Sequence, residues 1–461
     1  MTLLPEIYIL SFSVLFLFLS LGKGKKLLFP LARALSLGAV AVCLFSLNSE
    51  GLFFAGAYQV DGFSQIFKLL LTIGLALVVF MFNRDDEVEN MPEFFMFLGL
   101  STLGLTILVS SVELISILIS LEISSFSLYA IVPLRRSKTT THLEAAIKYL
   151  FFGAIATGIM LYGMGYLYGM AHSTYLVDIA AKMPSFIDKP LGILALLLTM
   201  TAFFFKLSLF PFHFWAPDIY EGASDATTTF IATVPKVAAA ALLIRLTMLA
   251  GLPTAQLTVL LMVLAAFSMT LGNLAGLVQR DLKRLVAYSG IAHAGYLMLG
   301  LLSFNKAGNA AVAYYITVYL FMNLALFYVI MLLSKNGENL KIADLAGLAR
   351  RSPLLAFTLA VAAFSLAGIP PTGGFTGKFF LLVTAFRAGY LAIVIIAAVN
   401  AVISVFYYLN LVRVSYSRES EDSAPFKLSF SEKALCWLFS IVIILLGLLP
   451  LNVLDMFSRV M

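Results

Sequence analysis

Long apolar runs separated by short polar breaks follow one another along the whole chain. There are fourteen of them, at residues 4–21, 28–48, 62–83, 92–110, 111–133, 145–169, 190–212, 226–249, 255–277, 284–303, 308–333, 353–383, 388–412 and 434–457. A helix needs about 20 apolar residues to cross the hydrocarbon core of a bilayer, and most of the runs reach that length. The pattern predicts an all-α polytopic membrane protein with about 14 transmembrane helices, numbered below as spans in chain order.

The amino-acid composition supports a membrane protein and excludes other classes. Of the 461 residues, 61% are hydrophobic and 12% are charged. A soluble domain has roughly 45–50% apolar and about 25% charged residues, and a disordered chain has too few apolar residues to form a core. A transmembrane β-barrel would alternate polar and apolar positions instead of running continuously apolar. A helical bundle in the membrane is the class that remains.

Few side chains in this chain suit metal or cofactor chemistry. The two cysteines, Cys43 and Cys436, lie far apart, and no two of the four histidines are spaced as a ligand pair: His142, His172, His213 and His293. Zinc and iron–sulfur sites need clustered ligands, and a nucleotide site needs a glycine-rich turn between a strand and a helix. We therefore expect no metal and no cofactor. The net charge of +6 does not indicate nucleic-acid binding, because the basic residues collect in alternate loops.

The distribution of basic residues between alternate loops predicts the orientation. Nineteen fall on one side: Lys23, Lys25, Lys26, Arg33, Arg84, Arg135, Arg136, Lys138, Arg280, Lys283, Arg284, Lys335, Lys341, Arg350, Arg351, Arg413, Arg418, Lys427 and Lys433. Six fall on the other: Lys182, Lys189, Arg245, Lys306, Arg387 and Arg459. Basic loops stay in the cytoplasm, so the first side is predicted to be cytoplasmic, with both termini, Asp178 and Asp188 outside. The first run, which carries Glu6, is expected to be a retained span rather than a signal peptide.

Ionisable residues inside the apolar runs are the main functional signal. Five lysines lie there: Lys68, Lys148, Lys206, Lys236 and Lys378. Glu122 stands at the centre of its run. A charge at mid-bilayer costs about 2.5–3.5 kcal/mol on insertion scales, so such residues are usually functional. Glu122, Lys206, Lys236 and Lys378 are too deep to reach an interface easily, and we expect them to carry the function.

Four other charged residues have simpler interpretations. Lys68 lies about two turns from the outer edge and is expected to snorkel to it. Lys148 follows Glu144 by four residues, the spacing of a helical ion pair, and has either a structural or a proton-path role. Glu113, near the end of its run, is expected to be an interfacial structural residue. Lys283 could collect protons at a cytoplasmic entrance, although an ordinary loop charge is the favoured interpretation.

Two histidines lie close to this chemistry, and the sequence leaves a pair of alternatives for each. His213 lies in the segment 205–213 together with Lys206. It anchors a helix interruption or belongs to a proton path. His293 either bridges the row of deep charges or is a packed histidine of the core.

Proline is expected to interrupt the helix beside three of the deep lysines. The prolines are Pro211, Pro235 and the pair Pro370 and Pro371. Proline lacks an N–H donor and frees the carbonyl four residues earlier, so each site predicts a break. Free backbone groups at membrane depth are tolerated only where they line protein or water. The breaks therefore mark the places where the lysines meet polar surroundings.

The interrupted spans indicate an internal repeat. Lys206 lies in the seventh span and Lys378 in the twelfth, so spans 4–8 and 9–13 each carry a broken helix in the fourth place. Because each unit has an odd number of spans, the two have opposite topology, as in inverted-repeat transporters. The predicted organisation is an N-terminal three-helix segment (1–91), a first repeat (92–249), a second inverted repeat (250–412), and a C-terminal loop with the final helix (413–461).

A row of buried glutamate and lysines has the ingredients of a proton relay. Burial disfavours the charged form of a lysine, and a nearby carboxylate favours it. Moving the two groups together or apart therefore changes the proton affinity of the lysine, as a pump requires. Sodium sites favour clustered carboxylates and carbonyls, whereas this row is mainly lysine.

Several motifs resemble one family of membrane proteins. Residues 121–129 (LEISSFSLY) and 144–149 (EAAIKY) resemble the antiporter-like membrane subunits of respiratory NADH-quinone oxidoreductase, also called complex I. The pattern W-x-P-D-x-Y-x-G-A, at residues 215–223, is similar to the subunit N family within that group. Residues 279–289 (QRDLKRLVAYS) and 368–378 (GIPPTGGFTGK) extend the resemblance over essentially the whole chain.

The resemblance implies roles for individual residues. Glu122 matches the glutamate of the family's fifth helix, and Lys206, Lys236 and Lys378 match lysines of its seventh, eighth and twelfth helices. Lysine at position 378 argues against the sibling subunit M, which has a glutamate there. The chain leaves no room for the C-terminal lateral helix of subunit L. Glu113 has no assigned counterpart.

The resemblance also implies a function and its setting. The implied function is proton translocation coupled to quinone reduction, with no redox centre in this chain, in the inner (plasma) membrane of a prokaryote. The implied partners are the lipid bilayer, neighbouring antiporter-like subunits and small membrane subunits, with NADH and quinone bound elsewhere in the complex. The alternative is a stand-alone or multisubunit cation/proton antiporter, which neighbouring genes for redox subunits would exclude.

Overall fold

The computed structural model describes residues 2–22, 27–82, 88–136, 140–250, 254–334, 337–417 and 425–461. Some of the basic residues used to predict the orientation lie outside these described residues: Lys23, Lys25, Lys26, Arg84, Lys138, Lys335 and Arg418. The deep glutamate, the five lysines of the apolar runs and both site histidines lie within them.

The described part of the chain is built almost entirely of α-helices. They are α1 (Leu4–Ser20), α2 (Leu28–Ser46), α3 (Gly62–Met81), α4 (Met91–Ser110), α5 (Leu114–Ile131), α6 (Thr141–Ala171), α7 (Leu176–Lys182), α8 (Pro190–Leu207), α9 (Trp215–Gly222), α10 (Asp225–Ala250), α11 (Ala255–Leu277), α12 (Leu282–Leu301), α13 (Lys306–Leu333), α14 (Leu348–Arg351), α15 (Pro353–Ala367), α16 (Gly373–Arg387), α17 (Leu391–Ser415), α18 (Phe430–Leu448) and α19 (Pro450–Val460). Two short antiparallel strands, β1 (Gly51–Phe53) and β2 (Tyr58–Val60), form a hairpin that the hydropathy pattern did not predict.

Among the described residues, eleven helices are long and apolar enough to cross a membrane. Two shorter apolar helices, α1 and α15, add to these. The all-α polytopic membrane fold is therefore confirmed. The span count of 14 stays a prediction, because several helices are short or interrupted.

Both interruptions predicted at the proline-rich segments are present. Helix α8 ends at Leu207 and the next helix begins at Trp215, while α15 ends at Ala367 and α16 begins at Gly373. Gly368 closes α15 with a positive φ of 87°, a conformation that a residue with a Cβ rarely adopts. The prolines after each end cannot supply the amides that would continue the helix.

The interruption predicted at Pro235 is wrong. Helix α10 runs continuously through this proline, and 94% of its spanning segment is buried. Two threonines that lie six and two residues before the proline, Thr229 and Thr233, donate their hydroxyls to carbonyls of the same helix. Such side-chain donors and close neighbours support the backbone around a proline within a membrane helix, so the helix continues.

The last apolar run is also divided, although it was predicted to be one span. Helix α18 ends at Leu448, Leu449 has a non-helical conformation (φ −120°, ψ 50°), and α19 begins at Pro450. A proline at the first position starts a helix readily but cannot continue the preceding one.

The chain forms two compact units. Unit 1 contains Met1–Leu207, Gly222–Leu260 and Val460–Met461, and unit 2 contains Ser208–Glu221 and Leu261–Arg459. In unit 1, α10 packs against α3, α4 and α8, and α6 packs against α8. In unit 2, the buried helix α13 packs against α12, α15, α16 and α18. Each interrupted helix thus lies next to a helix that is almost completely enclosed.

The two ends of unit 1 are tied by different contacts. At one end Tyr58 pairs with Ser111 and Glu113 with Tyr175 in isolated bridges, close along the chain to Asp178. At the other end Arg135 donates to the Gly222 carbonyl at 3.1 Å. Arg135 and Asp178 therefore lie at opposite ends of the unit, as alternating spans require.

Candidate functional site

Lys206 occupies the carbonyl end of the first interrupted helix. It lies in the last turn of α8 and only 4% of its surface is exposed. The last carbonyls of a helix have no partners within the helix, and this negative end attracts a cation. Within the described residues its Nζ atom makes no hydrogen bond, while the carboxylate of Glu122 acts on it electrostatically. At this position the protonation state of Lys206 depends on the charge of Glu122, which acts without a direct hydrogen bond.

Glu122 lies halfway along α5 and is held by one hydrogen bond. The Thr157 hydroxyl, on α6, donates to its Oε1 atom at 2.6 Å. The carboxylate is only partly buried, because it shares a face of α5 with the exposed side chains of Ile119 (55%) and Phe126 (60%). Glu122 was predicted to belong to a buried row, but in the isolated chain it is only partly buried. Its depth along the helix is as predicted, but it opens to one side of unit 1.

Lys236 is enclosed in the middle of α10. Only 2% of its surface is exposed, and it follows Pro235 without a break in the helix. Its helix packs directly against α8, which carries Lys206, so two buried lysines lie on neighbouring helices of unit 1.

Lys378 joins the two halves of the second interrupted helix. It lies in the second turn of α16, is 5% exposed, and donates to the carbonyls of Leu366 at 2.8 Å and Ala367 at 3.0 Å. These are the terminal carbonyls of α15, which lack helical partners. The ammonium group also lies 4.8 Å from the centre of the Tyr296 ring, a cation–π contact. A lysine of the second half-helix thus neutralises the end of the first.

His293 lies in a cluster of tyrosines beside Lys378 in unit 2. Its Nδ1 contacts the Tyr315 hydroxyl, and its Nε2 lies 3.1 Å from the Tyr408 hydroxyl. The Tyr296 ring that supports Lys378 packs against the same imidazole. Sequence analysis missed Tyr315 and Tyr408, since nothing in the local pattern distinguishes them from other aromatic residues of the helices. This environment supports the interpretation of His293 as a packed histidine of the core, while a role in bridging the row of deep charges stays a prediction.

Asparagines extend this polar cluster further into unit 2. The Tyr407 hydroxyl donates to Asn273 Oδ1 at 2.9 Å, and Asn273 Nδ2 donates to Asn400 Oδ1 at 3.0 Å. Asn400 donates in turn to Thr270 at 3.2 Å. Hydroxyls and amides that both donate and accept are suited to passing protons or ordering water.

His213 is packed between aromatic rings rather than exposed to a polar path. Its imidazole lies 4.2 Å from the Phe214 ring centre and 5.7 Å from that of Phe210, and it is 3% exposed. This environment supports the anchoring interpretation, while a role in proton movement stays a prediction.

Two of the less deep charges, Lys148 and Glu113, lie where their spacing or position suggested. Lys148 forms the predicted ion pair with Glu144, 2.7 Å apart and partly exposed. Glu113 caps α5 and accepts from the Ser116 amide at 2.7 Å. Burial raises the pKa of Glu113, but these backbone hydrogen bonds outweigh it and hold its pKa below the ordinary value. The structural interpretation of Glu113 is supported.

Two lysines are not as the sequence predicted. Lys283 is not a solvated loop charge: it is completely buried in the first turn of α12. Lys68 does not snorkel to the surface, because it is completely buried and pairs with Glu6 at 2.7 Å. In both cases the side chain is buried although the sequence pattern placed it near an edge or in a loop.

Comparison with known proteins identifies the family. Residues 111–404 match the family model described as NADH:quinone oxidoreductase/Mrp antiporter, TM. The chain is 44% identical to NADH-quinone oxidoreductase subunit N 2 of Solidesulfovibrio magneticus, over 99% of this chain and 98% of that protein. The chain belongs to the NADH-quinone oxidoreductase subunit N family. Subunit N of Nitrosomonas europaea is 37% identical, over 97% of this chain and 94% of that protein. The resemblance found in the motifs is confirmed.

Solved structures agree with the membership in the subunit N family. A chain of respiratory complex I from Thermus thermophilus with bound aureothin superimposes with a TM-score of 0.85, at 32% identity and over 98% of both chains. A chain of the Mrp complex from a Dietzia species gives a TM-score of 0.87 at 19% identity, over 100% of this chain and 96% of that chain. The second similarity shows the fold alone.

Proposed function

We propose that this member of the subunit N family is a proton-translocating subunit of an NADH-quinone oxidoreductase. Glu122, Lys206, Lys236 and Lys378 move protons, while NADH, the quinone and the redox centres belong to other subunits. One observation carries the proposal: lysine ammonium groups are buried at the carbonyl ends of two interrupted membrane helices, in a chain of this family. Burying charge at such a depth is costly unless it serves a function.

In unit 1 the working pair is Glu122 and Lys206. A charged Glu122 stabilises the Lys206 ammonium across a medium of low dielectric constant. When that charge is neutralised or drawn toward a neighbouring subunit, Lys206 releases its proton. Lys236, on the helix packed against α8, is the proposed acceptor. No hydrogen bond to the Lys206 Nζ atom in the described chain has to be broken for this exchange.

In unit 2 Lys378 and the cluster around His293 form the second part of the relay. Lys378 holds its proton against the α15 carbonyls, and Tyr296 lies between the lysine and His293. Hydroxyl groups on both nitrogens of His293 give the imidazole one partner on each side. We propose that Lys378 delivers protons to the outside, and that the two half-channels are not open together.

The setting is part of the proposal. We propose 14 spans with inverted repeats over spans 4–8 and 9–13, both termini outside, in a prokaryotic plasma membrane. The proposed partners are lipid, neighbouring antiporter-like subunits and small membrane subunits. The interrupted helices α8 and α15–α16 occupy the fourth place in each five-span unit, which supports the repeat. The open side of Glu122 supports a neighbouring membrane partner there.

NADH-driven proton uptake by inverted membrane vesicles tests the proposed function. Lys206→Ala and Lys378→Ala should each lower proton uptake and coupled quinone reduction, with normal amounts of assembled complex. Lys306→Ala is the matched control, because Lys306 is exposed at the start of α13. Unchanged pumping in correctly assembled Lys206→Ala complex would refute the relay. Proton movement driven by a sodium gradient without NADH would instead identify a cation/proton antiporter.

A further inference from the structure

A buried ion pair lies among the first three helices, and neither of its residues belongs to the relay proposed above. Lys68, on α3, pairs with Glu6, on α1, with 2.7 Å between Nζ and Oε1. The Tyr58 hydroxyl, from β2, donates to the same carboxylate oxygen at 2.7 Å. The Lys68 ammonium also lies 5.2 Å from the centre of the Tyr58 ring. Lys68 is completely buried, and the side chain of Glu6 is 10% exposed.

One oxygen of this cluster is left open. The Oε2 atom of Glu6 is buried and makes no hydrogen bond within the described residues. The other polar groups that face the pair are Cys43 from α2, Thr72 from α3 and, through Tyr58, Ser110 from α4. Burial and the Glu6 charge raise the pKa of Tyr58, so its hydroxyl stays a donor at physiological pH. The Glu6 carboxylate is thus the group beside Lys68 that can accept a proton.

A second ion pair fixes how α3 lies along α10. Arg245, near the end of α10, donates to both carboxylate oxygens of Asp61 at 2.9 Å, and Asp61 caps the start of α3. Burial raises the pKa of Asp61, but the Arg245 hydrogen bonds outweigh it and lower the pKa. The two helices pack together, and both extend to the same side of this clamp, because α3 begins there and α10 ends there.

This clamp sets the depths of two lysines. Lys68 is seven residues along α3 from Asp61, and Lys236 is nine residues back along α10 from Arg245. At about 1.5 Å per residue, they lie roughly 10 and 13 Å from the clamp. Lys68 and the proposed acceptor Lys236 are therefore at nearly the same depth on packed helices. Glu6, in the first turn of α1, connects this depth to the end of the unit.

We propose that Lys68 and Glu6 form a proton exit from unit 1. The Lys68 ammonium transfers one proton to Glu6, leaving a neutral amine and a neutral acid. Glu6 releases that proton at the end of α1, and the amine takes the next proton from the Lys236 side, restoring the ion pair. The inference rests on the proposed function, because it assigns the outlet of the same relay.

The test measures protons moved per NADH oxidised by the reconstituted complex. The variants are Lys68→Met, Glu6→Gln and the double variant carrying both changes. Each single change leaves one buried charge unpaired and is expected to lower assembly. The double variant removes both charges and should assemble normally. If the pair is a proton exit, the double variant still moves fewer protons per NADH than the native complex. A normal number of protons per NADH in the assembled double variant would overturn the proposal and show that the ion pair has only a structural role.

A variant that keeps both charges tests the same site if the others assemble poorly. Tyr58→Phe removes one donor to the Glu6 carboxylate, so Glu6 should hold its proton more tightly and the pH profile of pumping should shift upward. An unchanged profile would count against the exit. Lys206→Ala, measured in parallel, separates the two proposals. Normal pumping in Lys206→Ala refutes the relay itself, whereas lost pumping there with a fully active double variant refutes only the exit.

Discussion

The two interrupted helices place a lysine ammonium at the carbonyl end of a half-helix by different routes. Lys206 belongs to the half-helix whose end it occupies, in the last turn of α8. Lys378 belongs to the following half-helix and reaches back to the terminal carbonyls of α15. The electrostatic position is the same, because both ammonium groups lie at the negative end of a helix.

The difference separates stability from proton exchange. Lys378 satisfies two backbone carbonyls and thereby joins both halves of its helix, so we expect it to contribute to folding in addition to its proposed role in proton transfer. Lys206 makes no such hydrogen bond within the described chain, and Glu122 is the charge that acts on it. We infer that Lys206 responds to the charge of Glu122 and that Lys378 is anchored by the α15 carbonyls.

The largest effect is expected from adding a side chain at Gly374, where α16 packs tightly against the end of α15. A Cβ added at Gly374 would lie 1.8 Å from the Ser365 carbonyl oxygen. Gly374→Ala should therefore separate α15 from α16 at a cost of about 3 kcal/mol or more, seen as loss of assembled complex and a lower Tm. Gly158→Ala is the control, because a Cβ there meets no atom within 4 Å. Equal Tm values for the two variants would show that this close contact is unimportant.

The next effect distinguishes the anchored lysine from the responding one. Lys378→Met leaves the Leu366 and Ala367 carbonyls without their donor and should lower stability by roughly 1–3 kcal/mol. Lys206→Met removes a buried charge without breaking a hydrogen bond, so the Tm should stay the same or rise. Thermal unfolding of the two purified complexes decides this. Equal destabilisation would remove the distinction between the two interruptions.

A smaller effect is expected at the hydrogen bond that holds Glu122. Thr157→Val removes the hydroxyl that donates to Glu122 Oε1 at 2.6 Å but keeps the size of the side chain. Because Glu122 is partly exposed, we expect a loss near 1 kcal/mol, about fivefold in the pumping rate. Thr141→Val, earlier on α6, serves as the comparison. A pumping rate for Thr157→Val equal to that of the native complex would mean that the hydrogen bond does not position Glu122.

The smallest effect is expected at the aromatic ring beneath Lys378. Tyr296→Leu removes the cation–π contact and should cost about 1 kcal/mol of stability. Tyr296→Phe keeps the ring, so it should retain most of that contribution and lose the hydroxyl's interactions with the Ala397 carbonyl and the Asn273 side chain. If both variants had the same Tm, the ring face would not be what supports the ammonium.

The sequence predicted the features that depend on one helix at a time. Apolar runs located the membrane helices, and proline and glycine located the two interruptions beside Lys206 and Lys378. Pro235 was the exception, because the local rule for proline takes no account of the threonine donors and the close packing around α10. The division at Pro450 was missed for the opposite reason, since the apolar run continues across it.

What depends on two helices could not be predicted from spacing. Lys68 was assigned to a surface because its partner Glu6 lies on another helix, far away in the chain. The hydroxyls of Tyr315 and Tyr408 became visible as partners of His293 only once α12, α13 and α17 were packed. The pattern along the chain predicts how deep a residue lies in the membrane. Which side chains pair becomes visible only when the helices are packed together.

A double-mutant cycle on proton pumping tests the central claim, that Glu122 controls the proton on Lys206. Protons moved per NADH are measured in reconstituted complex carrying Glu122→Gln, Lys206→Met, or both changes. If the two residues act as one pair, the double variant should pump no worse than the more impaired single variant. Losses that multiply in the double variant, or normal pumping in either single variant, would contradict the account.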